Sequence, residues 1–433
     1  MRKNKNIFCN KKILIYGLGK SGLSTFNFLK NKSSTFLFDD FSNKIQNSKI
    51  KKKFISYKSI LRTKFDFIII SPGIDVNNCL LSKYLNKNSK LIFSDLDVFY
   101  SFFKNDCITI TGTNGKSTTC QLLYEIFKNQ KYNVKLVGNI GNPILSSTKI
   151  NKKTIFIIEA SSYQLQYSKI FKSKYAAILN ISPDHIERHK TINNYVNAKF
   201  RLIKSQTGES FAFINRENSF IKKAIRSKRF NSKIINVSKS KTNNFIKLVD
   251  NKYFLTEANI ENLSFALSIS KKFKIKQKVI IKTIKNFRGL KYRQQIIYKK
   301  KLLTIINDSK STSFSSSIGI LKINTNIFWL LGGIPKQGDN FNLPMKYCKK
   351  IKAFIYGKKQ NVFKKQLKGK IKFQSVSNIN DALKKISEII KKQKFINNTI
   401  LFSPAAASFD SFKNFEDRGD YFNKIVKKLI YAK

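Results

Sequence analysis

The stretch Cys107-Ile-Thr-Ile-Thr-Gly-Thr-Asn-Gly-Lys-Ser-Thr-Thr119 joins an apolar, β-branched run to a glycine-rich turn. The run predicts a buried strand, and apolar side chains at helical spacing after the turn predict a helix. A strand, a glycine turn with Lys-Ser and a helix are typical of a phosphate-binding loop, in which backbone N–H groups surround phosphate oxygens. In this interpretation the loop binds ATP or GTP, Lys116 reaches the β- and γ-phosphates, and Ser117 binds Mg²⁺.

The strict phosphate-loop pattern G-x-x-x-x-G-K-[ST] is not met, because Ile110 stands where its first glycine would lie. The alternative is therefore an ordinary loop before a helix N-terminus. The strand and the helix that flank the loop favour the nucleotide site.

The chain has 433 residues, which is enough for two to four domains. Lys and Arg number 84 against 24 Asp and Glu, which gives a formal net charge of +60. Such an excess first suggests nucleic acid or an anionic membrane. However, the lysines are spread along the whole chain, and no basic segment carries interleaved aromatic residues. We therefore expect solvated lysine faces that attract anionic small-molecule substrates, without specific nucleic-acid binding.

The five cysteines are odd in number, far apart and free of any C-x-x-C pair. This usage is typical of a reducing compartment and argues against a disulfide framework or a zinc site. No apolar run approaches the roughly 18 residues that a membrane helix needs, and lysines interrupt the apolar residues near the N-terminus. We expect a cytoplasmic monomer with no signal peptide and no membrane span.

A second glycine-rich turn, Gly17-Leu-Gly-Lys-Ser-Gly22, follows an apolar strand at residues 12–16. A helix, a further strand at residues 35–38 and then Asp39 complete the fingerprint of a dinucleotide-binding fold. Taken alone, this pattern indicates an NAD-dependent dehydrogenase. Beside the phosphate loop, it equally suits a Rossmann-like fold that binds another nucleotide diphosphate. The turn Ser71-Pro-Gly-Ile74 follows a later strand, at the edge where open α/β sheets bind ligands, although a plain β-turn is the alternative.

Two further strands lead to polar side chains near the phosphate loop. The strand at residues 154–158 is followed by Glu159, whose carboxylate at the tip of a parallel strand suits Mg²⁺. The strand at residues 175–180 leads into a loop that contains His185 and His189, the two histidines of the chain. Since both histidines lie in one loop, we expect a functional role there. A strand-capping glutamate and structural histidines are the alternatives.

Taken in order, these motifs resemble the Mur ligases, the ATP-dependent amide-bond ligases of peptidoglycan precursor synthesis. The resemblance covers essentially the whole chain. The phosphate loop and His185 are shared with all Mur ligases and with folylpolyglutamate synthases. More specific segments resemble the D-glutamate-adding branch of the family, namely Gly17–Gly22, Ser71–Ile74, Asn307–Lys310 and the tail that begins with Ser403-Pro-Ala-Ala-Ala-Ser408.

The resemblance implies an α/β fold with three domains. These are a Rossmann-like UDP-substrate domain at residues 1–94, a central P-loop-type ATPase with a mostly parallel sheet at residues 95–294, and a Rossmann-like amino-acid domain at residues 295–433. It implies a ligase that adds D-glutamate to UDP-N-acetylmuramoyl-L-alanine through an acyl phosphate. The turn at Gly17 then holds UDP, which removes the dehydrogenase interpretation. The alternatives are another Mur-type or folylpolyglutamate-type ligase and, from a different class, a basic nucleic-acid-binding ATPase.

The resemblance also implies roles for individual residues, with Lys116, His185 and Lys199 as the catalytic set. The ATP contacts are Gly112, Thr113, Asn114, Gly115, Lys116, Ser117, Thr118, Asn259, Arg293 and Asp308. The ligands of two Mg²⁺ ions are Ser117, Glu159, His185 and Lys199, and Lys199 matches a lysine that family members carry as a carbamate. The UDP-substrate contacts are Gly17, Gly19, Ser21, Gly22, Asp39, Ser71, Gly73, Asn139 and Ser161. The D-glutamate contacts are Lys310, Thr312, Lys336, Ser408 and Phe415.

Some positions depart from the usual family pattern, namely Ala258, Tyr292, Ser311, Ser313 and Ile334. These departures concern the nucleotide contacts and the amino-acid pocket. The residues expected at the metal ions and the phosphates all match the pattern, so we expect an active enzyme.

Overall fold

The computed structural model of the chain describes residues 6–41, 48–249, 251–300, 302–336, 338–393 and 396–431. These residues form an α/β fold with three separate sheets. The chain divides into two compact units, one made of Met1–Val249 with Glu261–Ile284 and the other of Asp250–Ile260 with Lys285–Lys433. The first unit contains two sheets and the second unit contains the third. The domain boundaries at residues 94/95 and 294/295 stay a prediction.

The first sheet has four parallel strands in the order β2-β1-β3-β4. Its strands are β1 (Lys12–Tyr16), β2 (Ser34–Phe38), β3 (Phe67–Ile70) and β4 (Ile92–Phe93). The helices of this segment are α1 (Lys20–Leu29), α2 (Ser48–Lys51), α3 (Tyr57–Arg62), α4 (Ser82–Lys87) and α5 (Asp95–Phe102). Tyr16 at the end of β1 pairs with Ile70 at the end of β3. The glycine turn and the turn at Ser71 therefore leave the same edge of the sheet.

The second sheet has six parallel strands in the order β10-β9-β8-β5-β7-β6. Its strands are β5 (Cys107–Thr111), β6 (Val134–Gly138), β7 (Ile155–Glu159), β8 (Tyr175–Ile178), β9 (Phe211–Ile214) and β10 (Lys233–Asn236). The helices are α6 (Lys116–Asn129), α7 (Ser162–Tyr167), α8 (Ile186–His189), α9 (Ile192–Lys204), α10 (Ser219–Arg226), α11 (Ser240–Val249), α12 (Glu257–Lys272) and α13 (Gln277–Asn286). Strand β5 is buried along its whole length, as expected for a central parallel strand covered on both faces.

The third sheet has six strands in the order β11-β12-β16-β13-β14-β15, and only the pairing of β11 with β12 is antiparallel. Its strands are β11 (Gln295–Lys300), β12 (Leu303–Asn307), β13 (Ile327–Gly332), β14 (Ile351–Tyr356), β15 (Lys372–Ser375) and β16 (Asn398–Phe402). The helices are α14 (Phe314–Ile323), α15 (Met345–Cys348), α16 (Gln360–Leu367), α17 (Ile379–Lys392) and α18 (Phe415–Tyr431). Trp329 is fully buried in β13, and its Nε1–H donates to the carbonyl of Ser403 at 2.7 Å.

The observed architecture confirms the prediction of an α/β fold with mostly parallel sheets. The strands expected from the sequence are present, with their ends displaced by at most two residues. Short 3-10 helices lie at Ser89–Leu91, Ile144–Ser146 and Lys252–Leu255. Among the residues that the structure describes, no helix is both long enough and apolar enough to cross a membrane.

Candidate active site

The phosphate loop makes a sharp turn between β5 and α6. Gly115, the residue before the helix, has φ +82°, a conformation that costs a residue with a Cβ atom. A Cβ atom at this position would also lie 2.0 Å from the side-chain oxygen of Asn262 on α12. Glycine is therefore required at residue 115 both by the backbone and by the neighbouring helix.

The outer side of the loop is held by the segment that follows β8. The backbone N–H of Thr113 donates to the carbonyl of Asn180 at 2.9 Å, and the N–H of Asn114 donates to the side-chain oxygen of Asn180 at 2.9 Å. The Thr113 hydroxyl accepts from the N–H of Ser182 at 3.0 Å and lies 3.1 Å from the hydroxyl of Tyr195. These contacts fix the first half of the loop.

The second half of the loop is the first turn of α6. The Nζ atom of Lys116 donates to the carbonyls of Gly112 at 2.8 Å and Thr113 at 2.9 Å, so the ammonium lies against the loop. Ser117 and Thr118 are buried in the same turn. The first N–H groups of a helix lack partners within the helix. Such N–H groups, together with a lysine ammonium, suit a phosphate group.

Glu159 ends β7, next to the strand that leads into the loop. It pairs with Ile110 of β5, two residues before Gly112. Its side chain is 2% exposed, and its Oε1 accepts from Nδ2 of Asn139 at 2.8 Å. Its Oε2 is buried without a hydrogen-bond partner. A buried carboxylate oxygen without a partner is costly, and a bound cation would compensate that cost. This observation shows that Glu159 fits a Mg²⁺ ion, which prefers oxygen ligands.

Lys199 projects from α9 toward the start of the loop and is 1% exposed. Its Nζ donates to the carbonyl of Gly112 at 2.9 Å and lies 4.5 Å from the ring centroid of Tyr195. Burial, and next the nearby charge of Lys116, lower the pKa of Lys199 well below its ordinary value. Burial therefore favours the neutral amine over the ammonium at this position.

The two histidines lie at the ends of α8 and have different environments. His185 has φ +54°, and its side chain is 44% exposed between the carboxylates of Asp184 (3.4 Å) and Glu187 (3.6 Å). His189 is 3% exposed, and its Nε2 lies 3.0 Å from the Ser162 hydroxyl. Burial lowers the pKa of His189 to about 4. His185 is thus the accessible member of the pair, and His189 is part of the core.

An aromatic cluster joins this histidine loop to the phosphate loop. The ring of Tyr163 stacks on His189 at 5.4 Å and lies 5.1 Å from the ring of His185. Tyr195 lies 5.2 Å from His189, and its hydroxyl contacts Thr113. Side chains from α7, α8 and α9 therefore meet beside the loop. Within the described residues, no group of three or more His, Cys, Asp and Glu side chains forms a ready metal site.

The glycine turn of the first sheet lines a cavity of about 350 Å³. Six of the residues predicted to bind the UDP substrate line it, namely Gly17, Gly19, Ser21, Asp39, Ser71 and Gly73. The seventh, Gly22, packs directly behind the turn, where a Cβ atom would lie 1.8 Å from the carbonyl of Gly17. The carboxylate of Asp39 accepts from the backbone N–H of Leu18 at 2.6 Å, which holds the turn in place.

The remaining two predicted substrate contacts follow strands β6 and β7 of the second sheet. Asn139 is bound to Glu159, as described above, and Ser161 caps the N-terminus of α7 by accepting from the N–H of Gln164 at 3.2 Å.

The arginine that follows His185 by three residues reaches back to the Ser71 turn. The guanidinium of Arg188 donates to the carbonyl of Pro72 at 3.0 Å and to that of Ile74.

In the second compact unit, the predicted nucleotide contacts converge on Gln294. Asn259 donates through Nδ2 to the side-chain oxygen of Gln294 at 3.1 Å, and the N–H of Gln294 donates to Asp308 at 3.0 Å. Arg293 precedes Gln294 in the chain. Asp308 is buried, accepts from the Ser403 hydroxyl at 2.8 Å, and has its pKa raised by burial to about 7.

The predicted D-glutamate contacts lie in the same unit, on several segments. The Nζ of Lys310 lies 3.7 Å above the ring of Phe415. Ser408 follows Ala407, which exchanges two backbone hydrogen bonds with Ile334, two residues before Lys336. Ser408 is buried, whereas Lys336 and Thr312 are exposed.

Three of the departures from the family pattern have side chains with local partners in the structure. The hydroxyl of Ser311 lies 2.7 Å from that of Ser316 and 2.8 Å from that of Ser317. The hydroxyl of Tyr292 donates to Asp420 at 2.6 Å, and its ring packs on Gly419, where a Cβ atom would lie 2.3 Å from it. Ser313 caps the N-terminus of α14 by accepting from the N–H of Ser316 at 3.4 Å. These residues therefore stabilise the second unit locally.

Comparison with known proteins decides the family. The family model Mur ligase MurD-like, N-terminal domain, matches residues 11–93, and Mur ligase middle domain matches residues 110–284. A UDP-N-acetylmuramoylalanine--D-glutamate ligase of Rickettsia prowazekii (strain Madrid E) is 33% identical over 98% of this chain and 99% of its own. The chain belongs to the Mur ligase family. A protein of the same name from Buchnera aphidicola subsp. Schizaphis graminum (strain Sg) is 38% identical over 98% of this chain and 99% of its own.

Solved Mur ligase structures share this fold. The UDP-N-acetylmuramate-alanine ligase MurC of Thermotoga maritima superposes with a TM-score of 0.55 at 14% identity, over 98% of this chain and 100% of its own. The MurF ligase of Thermotoga maritima, solved in complex with ADP, gives a TM-score of 0.54 at 16% identity, over 86% of this chain and 91% of its own. At these identities the likeness establishes the Mur ligase fold alone.

Sequence reasoning missed several residues that the structure places at the Mur ligase phosphate loop. Asn180 binds two consecutive N–H groups of the loop, and Asn262 lies against Gly115 and within 3.3 Å of the Thr119 hydroxyl. Arg188, which contacts the Ser71 turn and not the loop, was also missed, although it follows His185 closely. The asparagines gave no signal because asparagine is abundant throughout the chain, and their contacts join segments far apart in sequence.

Proposed function

We propose that this Mur ligase joins D-glutamate to UDP-N-acetylmuramoyl-L-alanine with the hydrolysis of ATP to ADP and phosphate. The observation that carries the proposal is the full-length match to ligases of that name, at 33% and 38% identity. The match of the MurD-like model to the N-terminal segment supports the choice of this branch of the family. The side chains present also suit this reaction. Lys116 suits a phosphate group, Glu159 suits a metal ion, and Lys310 suits a carboxylate.

The phosphate loop is the proposed ATP site. The N-terminal N–H groups of α6 and the Lys116 ammonium would neutralise charge on the β- and γ-phosphates. The terminal carboxylate of the UDP substrate would attack the γ-phosphate, which gives an acyl phosphate and ADP. The amine of D-glutamate would then attack the acyl carbon, and phosphate and one proton would leave as the amide forms.

The metal site is proposed from the donors present. Ser117 and Glu159 offer oxygen atoms that suit Mg²⁺, and the unpartnered Oε2 of Glu159 supports a cation there. His185, with an exposed imidazole, is the proposed ligand of a second ion. Mg²⁺ would supply charge neutralisation of the transferred phosphoryl group. Glu159 would keep its carboxylate oriented through the hydrogen bond from Asn139.

Lys199 is proposed to act as a carbamate. Its burial and lowered pKa favour the neutral amine that reacts with CO₂. The carbamate would add a second anionic oxygen donor beside the start of the loop. The ammonium of Lys116 would offset that charge.

The two remaining substrates would use separate parts of the chain. The cavity at Gly17 and Ser71 is the proposed UDP site, since the glycine turn leaves room for a diphosphate at the N-terminus of α1. Lys310 and Lys336 are the proposed partners of the two carboxylates of D-glutamate, because a dicarboxylate gains most from two cations.

The decisive experiment measures phosphate release from ATP with UDP-N-acetylmuramoyl-L-alanine, with and without D-glutamate and with and without Mg²⁺. Release that needs all three substrates and Mg²⁺, with formation of the UDP-muramoyl dipeptide, would support the proposal. If L-lysine, meso-diaminopimelate or L-alanine with its own acceptor replaces D-glutamate, the choice of family branch is wrong. If none of these amino acids supports phosphate release, the result would point to a site impaired by the departures at Ala258, Tyr292 and Ile334.

A further inference from the structure

The Glu261 carboxylate lies behind the phosphate loop, on helix α12, and reaches the loop through a neighbouring side chain. It is half-buried. Its Oε2 accepts from Nδ2 of Asn180 at 2.9 Å, and its Oε1 accepts from Nδ2 of Asn215 at 2.7 Å. Both partners are carboxamides that present their NH₂ groups to the carboxylate. An ionised carboxylate can only accept hydrogen bonds.

This contact determines which way the Asn180 amide faces. Since the NH₂ group points to Glu261, the amide oxygen points the other way, where it accepts from the N–H of Asn114 at 2.9 Å. A reversed amide would oppose the N–H of Asn114 with another donor. The carbonyl of Asn180 meanwhile accepts from the N–H of Thr113 at 2.9 Å. Asn180 therefore fixes two consecutive peptide groups of the loop.

We propose that Glu261 is a positioning residue for the nucleotide, because it orients Asn180 and thereby holds the phosphate loop in the shape that receives ATP. This inference rests on the proposed function insofar as the loop binds ATP. By tying down Thr113 and Asn114 from outside, the pair leaves the N–H groups of the first turn of α6 for phosphate. Under this proposal, the affinity for the nucleotide depends on Glu261. The affinities for the UDP substrate and for D-glutamate do not.

A reversal of donor and acceptor tests this arrangement. Asn180→Asp alone places two carboxylates within hydrogen-bond distance of each other. The double variant Asn180→Asp/Glu261→Gln moves the carboxylate to residue 180 and keeps the charge of the parent. The new glutamine can then donate to the new carboxylate and still accept from Asn215, while that carboxylate accepts from Asn114. Every hydrogen bond of the parent is thus available again in the double variant.

The experiment compares the parent, these two variants, Glu261→Ala and the control Glu257→Gln, an exposed glutamate on the same helix. Each protein is titrated with Mg-ADP by calorimetry, the KM values of all three substrates are measured, and thermal unfolding is recorded. Since burial raises the pKa of Glu261, the work is done at pH 8, because a higher pH favours the carboxylate form. Mg-ADP binding does not depend on which amino acid the enzyme adds, so it separates this inference from the proposed function.

Glu261→Ala is expected to raise the KM for ATP and the Kd for Mg-ADP about fivefold, as the loss of one hydrogen bond implies. Asn180→Asp should raise both at least about tenfold, because like charges face each other. The double variant should recover at least half of that loss on a logarithmic scale, and Glu257→Gln should match the parent. A double variant no better than Asn180→Asp would overturn the proposal. So would equal increases in all three KM values with a lowered melting temperature, or parent-like nucleotide binding by Glu261→Ala.

Discussion

The Nζ atom of Lys199 lies 2.9 Å from the carbonyl oxygen of Gly112, the first residue of the phosphate loop. The same carbonyl also accepts from Lys116 at 2.8 Å. Two lysines therefore share one backbone oxygen, and the more deeply buried of them, Lys199, has its pKa lowered by burial. Holding two lysine amines against one backbone oxygen lowers the stability of the folded protein. Such a cost is expected where function requires the arrangement.

Replacement of Lys199 by methionine should separate stability from activity. Methionine fills a similar volume without a buried amine, and Gly112 keeps its hydrogen bond from Lys116. We expect Lys199→Met to gain about 1–3 kcal/mol in free energy of unfolding, because an apolar residue replaces a buried amine. Phosphate release should be lost, and added bicarbonate should not restore it. Urea unfolding and the phosphate assay measure the two effects. Near-normal turnover would remove a Lys199 carbamate from the mechanism.

Lys116→Ala tests the assignment of the ATP site itself. The ammonium lies against two loop carbonyls, where no other side chain of the loop supplies a positive charge. We expect turnover to fall on the order of 10³-fold and Mg-ADP binding to weaken, since transition-state charge on the phosphoryl group loses the lysine cation. Binding of the UDP substrate should stay within about twofold of the parent. Phosphate release that persists in this variant would place the ATP site elsewhere.

Glu159→Gln tests the metal site. Glutamine keeps the oxygen that accepts from Asn139 but replaces the unpartnered Oε2 by an NH₂ group. We expect the Mg²⁺ concentration for half-maximal phosphate release to rise at least about tenfold, because an anionic oxygen ligand is lost. Affinity for ADP without Mg²⁺ should be unchanged or higher. Superimposable Mg²⁺ activation curves for the two proteins would exclude Glu159 as a ligand.

The phosphate loop was predictable from sequence although its strict pattern is not met, and the structure shows why. Ile110 lies inside β5, where it pairs with Glu159 of β7 and Ala177 of β8. The loop begins only after this strand, so a glycine at residue 110 is not needed. Gly115, by contrast, has a positive φ and no room for a Cβ atom. The predicted order of strand, glycine turn and helix is confirmed because it used the positions that the backbone constrains, and phosphate binding stays a prediction.

The network that supports the loop was not predictable in the same way. Asn180 and Glu261 are 81 residues apart in sequence, and neither belongs to a local motif. Their contact depends on how α12 packs beside the loop, which periodicity does not encode. Arg188 and the Ser71 turn are separated by more than 110 residues and illustrate the same point. Local patterns thus identify strands, turns and helices, whereas the side chains that brace a site come from tertiary packing.

Arg188→Ala should weaken binding of the UDP substrate. The guanidinium donates to the carbonyls of Pro72 and Ile74 in the turn that lines the proposed UDP cavity, and it lies 4.2 Å from the ring centroid of Tyr163. Loss of these charge-assisted hydrogen bonds should loosen the turn and raise the KM for the UDP substrate about tenfold. The KM for ATP should change less than about twofold.

Two further variants make the Arg188 result specific. The KM of Arg188→Lys for the UDP substrate should lie between those of the parent and of Arg188→Ala, because one ammonium cannot reproduce the forked contact with two carbonyls. Arg201→Ala removes an exposed arginine from α9 and controls for the loss of positive charge. Equal effects of the Arg188 and Arg201 substitutions on the KM for the UDP substrate would mean that bulk charge, and not the turn contact, is responsible.

Asp308 should make the stability of the protein depend on pH. Its pKa is raised to about 7 by burial, so the folded protein retains a proton that the unfolded chain loses near pH 4. This contribution to stability is complete below about pH 4 and is lost as the pH rises through 7.

Asp308→Asn imitates the protonated form, and the Ser403 hydroxyl can accept from the new NH₂ group. Between pH 5 and pH 8 the variant should therefore gain about 3 kcal/mol in stability relative to the parent. Urea unfolding of both proteins at the two pH values measures this gain, and a stability difference that is the same at both pH values would show that Asp308 is ionised in the folded state.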